Sequence, residues 1–208
     1  MSRGGILAVG SVFLSIASVP ASPTNGPAGT VERTTVSASS EARSLHGKAV
    51  ELTRAGRWHE AEDIYRQILR ASPADLKAEF GLGSVLIHMR RFKEARDVFV
   101  RLKAQEPDSP VVNNNLAWIY VTSPEPAVRN IAEGVKLAQQ AVIDAPGDAE
   151  IWNTLAEAHY AAADYRLAQR AARIAVQVAQ EVSPAKAEGF WETLRRCNRA
   201  VERDGAGQ

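Results

Sequence analysis

The chain has 208 residues, with 25 Lys plus Arg against 24 Asp plus Glu and a formal charge of +1. No long basic run breaks that balance, so recognition led by phosphate contacts is disfavoured and no nucleic-acid partner is expected. A single cysteine, Cys197, rules out an intramolecular disulfide, a two-cysteine redox pair and a cysteine-based zinc knuckle.

Residues 1–21 carry the three parts of a secretory signal: Arg3 near the start, an apolar stretch from Ile6 to Val19, and the small-residue site Val19-Pro20-Ala21. Cleavage after Ala21 is expected, with Ala17 as the second choice. The stretch is interrupted by Gly10, Ser11, Ser15 and Ser18 and falls short of the roughly twenty predominantly apolar residues that span a bilayer. The expectation is an exported chain, periplasmic or secreted, anchored to a membrane only if this segment stays uncleaved. Residues 22–40, SPTNGPAGTVERTTVSASS, are dense in Ser, Thr, Pro and Gly. Such a segment cannot bury enough apolar area to offset its conformational entropy, and it reads as a disordered linker.

Beyond the linker the sequence repeats itself. Trp58-His59-Glu60-Ala61 recurs as Phe92-Lys93-Glu94-Ala95 thirty-four residues later, then as Ile131-Ala132-Glu133-Gly134 after a step of thirty-nine, and as Tyr165-Arg166-Leu167-Ala168 after another thirty-four. The same steps carry Tyr65 to Phe99, Ala138 and Ala172, and Pro73 to Pro107 and Pro146. Four units follow, at residues 42–75, 76–109, 110–148 and 149–181, within a repeat region spanning 41–181.

Each unit reads as two short helices. In the second, Phe80, Leu82, Gly83, Leu86 and Ile87 keep three- and four-residue spacing, Arg90-Arg91 turns the chain, and Ala95, Val98, Phe99 and Leu102 resume the period. Pro107 or its equivalent closes the second helix, since proline cannot continue it. Ser109 before Pro110, Asp148 before the Trp152 helix, and Ser183 before Pro184 are expected N-caps. The small columns Ala49, Gly83, Ala117, Ala156 and Ala61, Ala95, Gly134, Ala168 mark close helix approach. The third unit's extra residues fall in a loop around Ser123-Pro124-Glu125-Pro126, which is expected to tolerate extension.

These residues resemble the tetratricopeptide repeat, or TPR. Trp152, Leu155-Ala156 and Ala168 in the fourth unit, Leu82-Gly83, Ala95, Phe99 and Pro107 in the second, and Leu116-Ala117, Tyr120 and Pro146 in the third carry the likeness. Lys48 departs from it where a Leu is usual, and His159 where a Tyr is. The resemblance implies an all-α TPR solenoid of about four helix-turn-helix repeats. Residues 183–203, with Phe190, Trp191, Leu194, Cys197 and Val201 at helical spacing, are assigned as its capping helix, since a solenoid needs its last apolar face covered. The variant Asn115-Leu116-Ala117-Trp118 followed by the Ser123–Pro126 loop is similar to one frequent in bacterial TPR proteins, and with the signal-like start it implies a bacterial TPR protein of exported type.

No chemistry rises above this frame. His46, His59, His88 and His159 are scattered over different units without partners at metal-ligand spacing, so no metal, cofactor or small-molecule substrate is expected. No phosphate loop, nucleophile elbow or His-Glu-x-x-His motif occurs, and the protein is not expected to be an enzyme. A TPR array usually works through its concave face. Helical geometry puts Lys77, Phe80, Ser84 and Ile87, then Val111, Asn114, Trp118 and Val121, then Glu150, Asn153, Glu157 and Tyr160 on that face. The candidate partner-binding residues are Phe80, Ile87, Asn114, Trp118, Val121, Asn153 and Tyr160, an apolar stripe beside two amides that suits a protein or peptide segment. The Lys-Asn-Arg clamp by which certain TPR proteins hold chaperone tails is missing, since its positions carry His46, Val50, Gly81, Val111 and Asn115. The leading expectation is a protein-binding scaffold or assembly factor of the bacterial envelope. A structural subunit that self-associates through repeat faces, or a non-catalytic domain of an envelope enzyme complex, are the alternatives.

Overall fold

The computed structural model describes residues 31–182 and 184–206; the expected signal segment and the expected N-cap Ser183 lie outside the described residues. The described residues form helices α1 (Val31–Arg54), α2 (Trp58–Ala71), α3 (Leu76–His88), α4 (Phe92–Gln105), α5 (Pro110–Thr122), α6 (Ile131–Asp144), α7 (Ala149–Ala161), α8 (Tyr165–Val182) and α9 (Pro184–Ala206). Among them there is no strand, and no helix is long and apolar enough to cross a membrane. Helix α1 begins inside the segment whose composition reads as linker.

Helices pair as hairpins, α1 with α2, α3 with α4, α5 with α6 and α7 with α8, and each hairpin packs on the next. The backbones of the odd-numbered helices also approach one another in succession, whereas those of the even-numbered ones do not, α2 and α4 meeting through the Arg66–Glu94 ion pair at 3.6 Å. A stack of hairpins that packs more closely along one layer curves toward that layer. The inner, concave layer is therefore α1, α3, α5, α7 and α9.

The two small columns are where the hairpins close. Ala49, Ala61, Ala95, Ala117, Ala156 and Ala168 are fully buried. A Cβ on Gly83 would lie 2.7 Å from the Phe99 ring, and one on Gly134 only 2.4 Å from Val121 Cγ1. Three of the four hairpin turns share one geometry. Gly56, Arg90 and Ala163 all have positive φ, at 71°, 60° and 63°. In each turn the N–H of that residue bonds a carbonyl three back, and the next N–H bonds one five back (Arg57 to Leu52, Arg91 to Leu86, Asp164 to His159, all 2.9 Å). This is the Schellman arrangement that satisfies the last carbonyls of a helix.

Helix starts follow the expected caps in part. Asp75 Oδ1 accepts from the Ala78 N–H at 2.9 Å, Asn130 Oδ1 from Glu133 N–H at 3.1 Å, and Asp148 Oδ1 from Glu150 N–H at 2.9 Å. Ser109 precedes Pro110 as expected, but its side chain makes no cap hydrogen bond.

The third hairpin's longer loop is packed, contrary to its expected tolerance. Ser123 is fully buried, Val128 is 2% exposed, Arg96 Nη1 donates to the Ala127 carbonyl at 3.0 Å, and the Asn130 N–H reaches the Tyr120 carbonyl at 3.0 Å. The loop is anchored by Ser123 and by Val128, which joins the core, while Pro124, Pro126 and Ala127 between them stay exposed.

Helix α9 packs on α8 and α7, the place where a further hairpin would begin. Ala187, Phe190, Leu194, Cys197 and Ala200 face inward, while Glu188, Glu192, Arg195, Arg199 and Glu202 are exposed. One apolar and one charged face is what a terminal helix needs in order to end a solenoid in water. Cys197 is buried, and that burial pushes its thiol up to about 11, which keeps it unreactive at neutral pH.

Candidate functional site

All seven candidate residues lie on inner-layer helices, and their surroundings divide them. Phe80 is buried and sets its ring edge-to-face on Phe99, with centroids 5.5 Å apart. Ile87 and Val121 are each 4% exposed, and Val121 fills the space left by Gly134. These three are core, so the apolar stripe expected from helical spacing is not a continuous surface. The reason is width: an inner helix touches a neighbouring helix on each side, which leaves a narrower open strip than one helix considered alone suggests.

Tyr160 is half-buried and already engaged. Its ring meets Tyr165 at 5.4 Å, and the Arg196 guanidinium of α9 lies over it, 4.5 Å from the centroid. Arg196 also pairs with the Glu157 carboxylate, which accepts a further bond from Thr193 Oγ1 at 3.2 Å. Helix α9 thus closes the last part of the concave face. Its pairing with α7 falls outside the repeat register, so no column in the sequence signals it.

Trp118, Asn114 and Asn153 remain. Trp118 is half-buried on α5. Asn114 and Asn153 are 9% and 8% exposed, and the Oδ1 atom of each is buried without accepting a hydrogen bond from any described residue. Their neighbours show how unusual that is. Asn113 accepts from Lys103 Nζ at 2.6 Å, and Asn115 Nδ2 donates to the Val111 carbonyl at 2.7 Å. Of the three consecutive asparagines on α5, the one facing the concave side has a fully buried oxygen that meets no donor among the described residues. Leaving a buried acceptor unpaired costs on the order of 1–3 kcal/mol. Asn153 occupies the matching position one unit later, and α5 packs against α7.

One turn before Asn153 on the same helix stands Glu150, a carboxyl the candidate set omitted. It is partly buried, has no cationic partner among the described residues, and burial, with a smaller push from Asp148, raises it to about 7. By contrast Glu62, Glu79 and Glu157 are each paired with an arginine. The sequence named Glu150 as concave but carried no sign that it would lack a partner.

A curved stack of helical hairpins with a narrow inner strip of amides, an indole and a carboxyl defines an α-solenoid repeat scaffold. A tetratricopeptide-repeat family model matches residues 52–119. Among solved structures, the chain resembles TTC0263, a thermophilic TPR protein of Thermus thermophilus, at 13% identity over 77% of this chain and 98% of that one, with a TM-score of 0.58. It also resembles the Sgt2 TPR domain from Aspergillus fumigatus (18% identity, 64% and 83% of the two chains, TM-score 0.55) and MamA 41-end from Desulfovibrio magneticus RS-1 (14%, 78% and 92%, 0.55). These likenesses are of fold. Residues 52–119 thus match the tetratricopeptide repeat, and the described helices have a TPR-like fold; such repeats typically serve as non-enzymatic scaffolds for protein–protein interaction.

Proposed function

We propose that this protein is a non-catalytic scaffold that binds a protein or peptide segment on its concave face, at the strip formed by Asn114, Trp118 and Asn153, and that it works in the bacterial cell envelope. The unanswered Oδ1 atoms of Asn114 and Asn153 carry the binding part of this reading. A bound segment offers the donors those oxygens lack, and an adjacent half-buried indole supplies an anchor of the kind that dominates protein interfaces. The envelope part rests on the signal-like residues 1–21 alone.

Two measurements test it. Crosslinking in the native cell, followed by identification of captured proteins, should return a partner whose capture is lost in Trp118→Ala while the melting temperature stays within a few degrees. Capture unchanged by Trp118→Ala and by Asn153→Leu moves the interface elsewhere. For location, the mass of the protein purified from its own host should correspond to a chain starting near Ser22; a soluble chain still carrying residues 1–21 refutes export.

A further inference from the structure

Taking that concave-face reading as given, we propose that the strip between α5 and α7 is a cation-accepting subsite, which takes a lysine or arginine side chain of the bound segment between the Glu150 carboxyl and the Asn114 and Asn153 amide oxygens, beside Trp118. Three observations converge on it. First, the groups lack partners: each amide keeps a buried oxygen without a donor, and the carboxyl has no counter-ion among the described residues. Second, they are neighbours by construction. Glu150 and Asn153 lie three residues apart on one helix face, where side chains meet, and Asn114 holds the column position of Asn153 on the adjoining helix. Third, the base that α9 brings to this face is committed elsewhere: Arg196 is held by Glu157 and Tyr160.

A ligand carboxylate or phosphate would instead set its charge against Glu150 and leave both amide oxygens without a donor. An ammonium or guanidinium has three to five N–H donors and a charge that answers Glu150, so it can satisfy all three groups at once. The faces of aromatic rings also attract such cations. The same strip would hold a neutral segment only by leaving the carboxyl buried and unpaired.

The test uses the chain without residues 1–21, the form expected after export, immobilised and probed with positional-scanning hexapeptide mixtures. The expected result is selection of Lys or Arg at one position. A selected peptide should lose at least about tenfold in affinity when that residue becomes norleucine, and a similar factor when Glu150→Gln replaces the wild type, with the two losses failing to add. Asn153→Leu should weaken the same peptide and leave its norleucine version little affected; it serves as the second variant if Glu150→Gln alters folding in a thermal melt. Peptides that bind with no basic preference, or a basic preference that survives both substitutions, overturn the cation subsite and leave the concave-face reading standing. If no hexapeptide binds the wild type, both fall.

Discussion

Replacing Ala163 by glycine should stabilise this protein, although glycine substitution usually weakens a helical chain. Ala163 sits at φ 63°, the left-handed region, in the turn between α7 and α8. An L-residue there pays about 1–2 kcal/mol for the approach of its Cβ to the following carbonyl, while glycine pays none. Against that gain stands the greater freedom of glycine in the unfolded chain, worth roughly 0.5–1 kcal/mol. Ala163 is exposed, so no packing is lost, and its N–H bond to Tyr160 is kept. The net expectation is a gain of about 0.5–1 kcal/mol, or roughly 1–4 °C in Tm for a folded body of this size. The neighbour supplies the control. Ala162 lies at φ −80° and ψ −1°, where glycine offers no relief, and Ala162→Gly should cost about 0.5–1 kcal/mol. Urea unfolding followed by circular dichroism reads both. If Ala163→Gly loses as much stability as Ala162→Gly, the turn geometry assigned to these three of the four hairpins is wrong. Arg90→Gly should gain less than Ala163→Gly, because the Arg90 guanidinium lies 5.9 Å over the Phe92 ring and that contact would go.

The register of this fold was legible because its signals are local and repeated. A large apolar or aromatic residue three before a small one recurs in all four units, and a proline closes the second helix of the first three, in one shared register of 34- and 39-residue steps, so each repetition tests the others. The hairpin pairing and both small columns follow directly. What could not be read was depth. Phe80 and Asn114 share a column and both are buried, yet Phe80 packs on Phe99 whereas Asn114 Oδ1 meets no donor; the difference lies in the neighbouring helix, which a one-helix face does not contain. The packed loop escaped for a similar reason. Pro124 and Pro126 advertise a loop, while Val128 two residues on, which joins the core, looks like an isolated apolar residue in a polar stretch. Helix α9 was legible as a cap from its apolar period, but its Arg196 grip on Glu157 joins residues thirty-nine apart outside the register.

Three further perturbations follow from these contacts. Gly81→Ala should cost about 1–3 kcal/mol, because the new Cβ would lie 2.3 Å from the Tyr65 ring, whereas Gly47→Ala, with nothing within 4 Å, should be neutral or stabilising in the same thermal melt. A glycine inserted between Pro126 and Ala127 should lower the melting temperature measurably, since it shifts both the Ala127 carbonyl held by Arg96 and the buried Val128; a wild-type melt would show that the loop is slack after all. Glu150 should give the fold an unusual pH dependence. Burial, and to a lesser degree Asp148, raises its carboxyl from 4.5 to about 7 in the folded chain, so the folded state holds a proton that the unfolded state releases. Stability from this group is therefore complete below about pH 4.5, declines as pH rises toward 7, and is gone above it, a difference of roughly 3 kcal/mol at most. Glu60 and Glu94, held low by hydrogen bonds from Arg57 and Arg91, act in the opposite direction, so the raw pH profile mixes the two. The difference between wild type and Glu150→Gln separates them, because glutamine keeps the shape and cannot ionise. Measured by urea unfolding between pH 5 and 8, the glutamine variant should gain on the wild type steadily up to about pH 7 and then hold level. A constant difference across that range would mean that Glu150 is solvated or paired, and would remove the unpaired carboxyl from the concave strip.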